Sequence, residues 1–407
     1  MTAARRLVSL LLAGSQLAAP AVAGAVTVGL ADQKPASYAD PRARALGLRY
    51  ARLSVPYDAA TSAPAQVEAW LSAVQGAGMA PHVAFEHLRT DDCPGAPCTL
   101  PSRGRYGAAV RAFVARFPQV RTYTTWNEAN HQTQPTAAHP EAVADYYDEL
   151  RSACPACTIV AGDVLDSGSY TRWLRGFLAA ASTTPQLWGL HDYGDVTYGT
   201  SSGVRDVLAT VPGRLWIEET GALVSLRNQA GRQTLLVDES RVALAIDRAF
   251  ALAKVNPRIA RMYVYQWQAG PLDRFDSGLV RPDGTLRPSY TALVRDLAAA
   301  RTTAPVRWTA KWSKRGLVLR ATCRAADRAC RGRVSVALRT RTTSHRLTRR
   351  SYRMSARHPT AALSVRVSTT LRRRARNATS RALLLRVRSL APPAALRTLT
   401  LRLARPA

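Results

Sequence analysis

The chain has 407 residues, 47% of them apolar and 21% charged, which excludes a disordered protein and exceeds what one ordinary core accommodates. Its net charge of +30 is unevenly placed: residues 301–407 carry 28 Lys or Arg against one acid, Asp327, while residues 1–300 carry 29 basic and 26 acidic side chains. Two modules of different character are expected, a nearly neutral one and a strongly basic one.

In chain order, Arg5 and Arg6 precede the apolar run 7–12, and Ala21-Val22-Ala23 supplies a small-residue cleavage site. This is the pattern of an export signal over residues 1–23. No later run is apolar and long enough to span a bilayer, so the expectation is a secreted, extracellular monomer, released or associated with the cell wall. Six cysteines fall in three close pairs, Cys93 with Cys98, Cys154 with Cys157 and Cys323 with Cys330, a spacing that suits three small disulfide loops in an exported chain. Cys154-Pro-Ala-Cys157 also has the spacing of a redox motif, but the flanking pattern is not thioredoxin-like. No four-ligand cluster for zinc, phosphate-binding glycine loop or Gly-x-Ser-x-Gly turn is present. No metal and no cofactor is expected.

Residues 24–301 alternate short apolar strand candidates with longer helical patterns. The strand candidates are 25–30, 48–55, 79–85, 120–126, 158–162, 187–191, 214–219 and 261–267. The helical segments include 65–78, 107–117, 141–153, 171–181 and 234–255. Such alternation calls for a parallel sheet, and eight units in this length fit a closed (β/α)8 barrel, an α/β fold whose chemistry sits at the C-terminal ends of its strands. Residues 302–305 form a candidate linker. Beyond it, 306–312, 317–322, 334–338, 363–367, 382–387 and 399–403 alternate as short strands, so residues 306–407 are expected to make a small all-β, sandwich-like domain.

Two strand ends carry carboxylates. The fourth ends in Trp126-Asn127-Glu128 and the seventh reads Trp216-Ile217-Glu218-Glu219-Thr220-Gly221, with Glu219 placed 91 residues after Glu128. In an eight-stranded barrel these ends face each other across the mouth. Two carboxyl groups about 5 Å apart suit retaining glycoside hydrolysis, and the charge of the attacking one is expected to raise the pKa of the proton donor. In a regular strand Glu218 points away from Glu219.

On these residues the chain resembles the clan A (β/α)8 retaining glycoside hydrolases, which include the cellulase-like family 5 and the xylosidase-like family 39. The resemblance covers residues 25–300. It implies Glu128, in Asn127-Glu128, as acid/base and Glu219 as nucleophile, with Glu218 standing where the clan pattern has Thr. It further implies that Arg52 orients the nucleophile, that His191 and Tyr193 form the clan's His-x-Tyr, and that Trp267 floors the sugar site. Asn127 is suited to donate to the sugar 2-hydroxyl, and Trp126 beside it is assigned to the sugar as well.

The resulting expectation is a secreted glycosidase cleaving β-glycosidic bonds of a polysaccharide or oligosaccharide. The alternative is a non-catalytic carbohydrate- or cell-envelope-binding protein on a degenerate barrel. The basic domain suits an anionic envelope polymer; export and the scarcity of aromatics in it argue against nucleic acid.

Overall fold

The computed structural model describes residues 26–228, 231–271, 273–302, 306–313, 316–323, 330–340, 344–354, 360–377, 381–389 and 396–402. The export signal expected over residues 1–23 and most of the candidate linker lie outside them.

Eight parallel strands close a barrel. In chain order they are β1 (Thr27–Ala31), β2 (Tyr50–Pro56), β3 (Ala80–Glu86), β4 (Thr122–Trp126), β5 (Thr158–Leu165), β6 (Leu187–Asp192), β7 (Arg214–Thr220) and β10 (Ile259–Tyr265). β8 (Ser225–Arg227), β9 (Gln233–Leu235) and β11 (Phe275–Asp276) form a small antiparallel sheet from the segments following β7 and β10. The helices are α1 (Pro35–Ala39), α2 (Pro41–Ala45), α3 (Ala59–Ser62), α4 (Pro64–Gly76), α5 (Arg103–Arg116), α6 (Pro140–Ala153), α7 (Tyr170–Ala180), α8 (Gly194–Tyr198), α9 (Ser202–Thr210), α10 (Glu239–Val255) and α11 (Pro288–Thr302).

Local chemistry sets these boundaries. Proline opens α4 and α6, where its missing N–H costs nothing. After α4, Gly78 at φ +69° turns the chain back into β3. The helix expected from residue 234 begins only at Glu239, because Asp238 caps it through Ser240 N and Arg241 N. The preceding residues pair as β9 instead. All eight barrel strands lie where the alternation put them, except that the last ends at Tyr265, short of Trp267.

A one-residue irregularity in β7 matters for the site. Ile217 pairs with Leu190 of β6, but Glu219 pairs with the next residue, His191. On the other side Ile217 pairs with Met262 and Thr220 with Val264. β7 therefore carries one residue more than its neighbours, a bulge that breaks the alternation and turns both Glu218 and Glu219 into the barrel. The expectation that Glu218 points away from Glu219 fails for this reason.

The C-terminal region folds as two antiparallel sheets, β12 (Val306–Ser313), β13 (Gly316–Cys323) and β16 (Thr360–Arg366) in one, β15 (Ser344–Met354), β14 (Cys330–Thr340), β17 (Arg381–Ser389) and β18 (Leu396–Arg402) in the other. Trp308, Leu319 and Val365 of the first sheet bury together with Val334, Leu338 and Tyr352 of the second. A short helix, α12 (Thr369–Asn377), joins them. Cys93–Cys98, Cys154–Cys157 and Cys323–Cys330 are disulfides.

Candidate active site

One buried guanidinium joins the barrel strands around the site. Arg52 on β2, 1% exposed, donates from Nε to Glu218 Oε2 at 3.0 Å and from Nη1 to Glu219 Oε1 at 2.7 Å. Its Nη2 donates to Asn127 Oδ1 at 2.7 Å and Asp163 Oδ2 at 2.8 Å. The rigid planar fork of arginine makes such a multi-way junction possible where lysine would not.

His191, the penultimate residue of β6, lies between the two carboxylates. Its Nδ1 is 3.0 Å from Glu128 Oε1 and 3.5 Å from Glu219 Oε2, and its Nε2 is 3.0 Å from Asp163 Oδ2. The Tyr193 hydroxyl donates to Glu219 Oε2 at 2.8 Å. Glu219 thus has both oxygens held from protein side, at 9% side-chain exposure, whereas Glu128 at 23% stands nearer the solvent end of the mouth. Glu128 adopts φ +46°, a conformation costly for any residue with a Cβ. It is fixed by its neighbours: Asn127 N donates to Phe85 O, and Ala129 N donates to Asp163 O.

The charges follow from this packing. Burial disfavours an imidazolium at His191, but Asp163 and Glu219 outweigh it and hold its pKa well above the ordinary value. Burial likewise presses Glu128 upward, yet the hydrogen bond and charge of His191, with smaller contributions from His131 and Arg52, hold it below the usual carboxylate range. Burial pushes Glu219 up, against the opposing charges of His191 and Arg52. The expectation that Glu219 raises the pKa of Glu128 is therefore reversed in the resting site, because a protonated His191 stands between them. Glu218 is raised to about 7, chiefly by burial, with Arg52 opposing and Asp163 adding to the shift.

Of the sequence candidates, Glu128, Glu219, Asn127, Arg52, His191 and Tyr193 converge. The two tryptophans do not. Trp126 is fully buried against Tyr57, Tyr106 of α5 and Tyr146 of α6, with Nε1 donating to Gln134, so it packs the strand against the helices. Trp267, 2% exposed, lies against Tyr290 and donates to Asp40 Oδ2. The aromatic facing the carboxylates from the last barrel strand is Tyr265, which packs edge-on against Phe275 of β11; Phe275 in turn packs on Tyr193. Asp163 and His82 also belong to the buried cluster, and nothing in their strand context distinguishes them from core polar residues. Beside His131, whose Nδ1 is 4.0 Å from Glu128 Oε2, opens a cleft of about 380 Å³ lined by Asn130, His131, Gln132, Ser167, Gly168 and Trp173.

A closed parallel barrel with two carboxylates meeting at the C-terminal mouth is an arrangement suited to glycoside hydrolysis. Residues 105–290, from α5 to the start of α11, match the family described as the glycosyl hydrolase catalytic core, and the barrel is accordingly that of a glycosidase. Among solved structures it is similar to a family 5, subfamily 18 protein from Streptomyces cattleya in complex with GlcNAc, at 16% identity and TM-score 0.52 over 70% of this chain and 82% of that one. It is also similar to a family 39 glycoside hydrolase from the gut symbiont Bacteroides cellulosilyticus WH2, at 14% identity and TM-score 0.46 over 84% and 81%. A family 10 protein from Paenibacillus barcinonensis aligns at 13% identity and TM-score 0.48 over 69% and 97%. No curated protein matches the sequence.

Proposed function

We propose that the protein is an exported retaining glycosidase that cleaves β-glycosidic bonds in a polysaccharide or oligosaccharide, with Glu219 as nucleophile and Glu128 as acid/base. The carrying observation is that one nitrogen, His191 Nδ1, lies 3.0 Å from Glu128 Oε1 and 3.5 Å from Glu219 Oε2. The two oxygens are then no further apart than those distances together. Nearest oxygens within that limit favour the roughly 5–5.5 Å separation of retaining enzymes over the wider pairs, about 6.5–9.5 Å, that hold a water between them.

In the first half-reaction a Glu219 oxygen bonds to the anomeric carbon while the leaving oxygen takes a proton from Glu128. In the second, Glu128 accepts a proton from water, whose oxygen displaces Glu219 and frees the sugar. The His191–Glu128 pair holds the proton for the first step: it rests on His191 and crosses to Glu128 as the leaving oxygen docks. Arg52 keeps Glu219 oriented and fixes the Asn127 amide by its oxygen, which turns the NH2 end toward a sugar hydroxyl. Tyr265 and Phe275 supply the apolar face against which a sugar ring stacks. The cleft beside His131 lies on the Glu128 side, where the leaving group departs.

Three disulfides support export, and the division into a catalytic module, residues 24–301, and a basic module, residues 306–407, follows the change in architecture and charge. The basic module is assigned to holding the enzyme on an anionic envelope polymer.

The test is turnover of activated aryl β-glycosides. Glu219→Ala is expected to lose at least about 10^4-fold in kcat. Glu128→Ala is expected to lose about 10^2- to 10^4-fold, most for poor leaving groups. Wild-type-like rates in both variants would overturn the assignment, and wild-type chain that binds glycans without cleaving them would instead mark a binding module.

A further inference from the structure

The interior of a (β/α)8 barrel is ordinarily filled by layers of branched aliphatic side chains. Here the axis below Glu219 is polar. Glu218 is fully buried, and its Oε2 accepts from Arg52 Nε at 3.0 Å and from the Thr124 hydroxyl. Thr124 Oγ1 is 2.8 Å from His82 Nε2, His82 Nδ1 is 3.0 Å from the Tyr263 hydroxyl, and Arg261 Nη1 donates to that hydroxyl at 3.2 Å. Two glycines clear the space. A Cβ on Gly189 of β6 would stand 2.7 Å from Asp163 Oδ1 and 2.9 Å from Glu218 Cγ, and a Cβ on Gly29 of β1 would stand 2.5 Å from the Tyr263 ring. Room has been made in two strands for this column.

Glu218 faces Arg52 from β2, His82 from β3, Thr124 from β4, Asp163 from β5, Gly189 from β6 and Tyr263 from β10, with Glu219 next to it on β7. Arg52 already pairs with Asp163 and Glu219. The Glu218 Oε1 atom is buried without a hydrogen-bond partner among the described residues. A negative charge on that oxygen would be uncompensated, whereas a neutral carboxyl tolerates one bare oxygen at far lower cost. His82, kept neutral by burial and by Arg52 and Arg261, adds no positive charge. Arg52 and a protonated His191 already face three carboxylates, Asp163, Glu128 and Glu219, so a further anion at Glu218 would deepen the excess of negative charge.

We propose that Glu218 is a positioning residue, a protonated buried carboxyl that orients Arg52 from below without drawing on its charge, leaving the guanidinium to Glu219. This rests on Glu219 being the nucleophile. Ionisation of Glu218 places a third anion on Arg52, beside Asp163 and Glu219, and weakens its hold on Glu219. The Thr124–His82–Tyr263 chain anchors Glu218 Oε2 on the side away from the mouth, and the proton belongs on the partnerless Oε1.

The experiment compares the full-length wild type with Glu218→Gln, the neutral isostere, and Glu218→Leu, which cannot hold Arg52. The first readout is Tm against pH and needs no turnover. A carboxyl neutral in the folded state but free to ionise in the unfolded chain makes stability fall as pH rises from about 4.5 to 7 and level off above that. The wild type is therefore expected to lose about 5 °C or more relative to Glu218→Gln across that window. Parallel curves overturn the proposal. The second readout is kcat at pH 6 on an activated aryl glycoside. Glu218→Gln is expected to stay within about threefold of wild type, and Glu218→Leu to fall at least about tenfold with KM little changed. Equal kcat in the two variants overturns the positioning role. Wild type without turnover sinks the glycosidase reading alone, and the Tm comparison then decides the state of Glu218 by itself.

Discussion

Asp192 shows how much a single burial decides in this site's surroundings. It ends β6 next to Tyr193, is 1% exposed, and has one carboxylate oxygen, Oδ1, without a partner among the described residues. Burial, with Asp166 and Asp195 nearby, pushes its pKa well above the ordinary value. Asp166 is pushed up to about 6 for the same first reason. Both are neutral in the folded chain at mildly acidic pH and ionise in the unfolded chain above about pH 4, so their contribution is full at low pH and is lost as pH rises. Asp192→Asn is accordingly expected to raise Tm at pH 8 and leave it nearly unchanged at pH 4; equal shifts at both pH values would show that the carboxyl is ionised when folded. At the same scale, residue type pointed to the converging carboxylates, because charged groups ending buried strands have few other uses, whereas Arg52, His191 and Tyr193 were named through the resemblance alone; residue type is ambiguous for tryptophan. It misled at Trp126 and Trp267, since an indole serves a core and a sugar platform equally well and type alone does not say which side of the strand it packs on.

At the scale of elements, the barrel strands were legible because strands covered on both sides are short apolar runs between turn residues. The bulge in β7 was not, because the period-two rule presupposes a regular ladder and Glu218-Glu219 carries no local mark of an extra residue. β15 escaped notice among its arginines, with Arg346, Arg349, Arg350 and Arg353 hiding the buried Tyr352 and Met354, and α12 is likewise embedded in an arginine run. The connection after β6 makes a testable case of local design. Asp195, 2% exposed, accepts from Gly203 N at 3.2 Å, Val204 N at 2.9 Å and the Thr200 hydroxyl at 2.6 Å, satisfying free donors in the first turn of α9. Asp195→Ala leaves those donors unpaired and is expected to cost about 1–3 kcal/mol in urea unfolding. An unchanged midpoint would mean that water replaces the carboxylate.

For the whole molecule, the charge division sets an expectation that neither module alone would give. Residues 301–407 hold nearly all of the net positive charge, and exposed arginines such as Arg320, Arg333, Arg349 and Arg353 occupy the described strands there. Retention of the full chain on an anionic polysaccharide matrix is expected to collapse as salt rises from about 0.05 to 0.5 M, as the Debye length shrinks. Turnover of a small neutral aryl glycoside should change little over the same range. Salt-independent retention would indicate a passive module. The described disulfides add to this the constraint of three short loops rather than a cross-link between modules.

The groups that set charge at the carboxylates, Arg52, Asp163, His191 and Glu218, are borne by β2, β5, β6 and β7, whereas the cleft beside Glu128 is walled by residues following β4 and β5. Ionisation is thus written chiefly into the staves of the barrel, with His131 reaching Glu128 from the rim, and glycan choice is expected to lie in that rim. Swapping the rim segments of another such enzyme onto this barrel while keeping His131 is expected to alter which glycan is cut and to leave the pH range of cutting where it is, so the two properties are open to separate redesign.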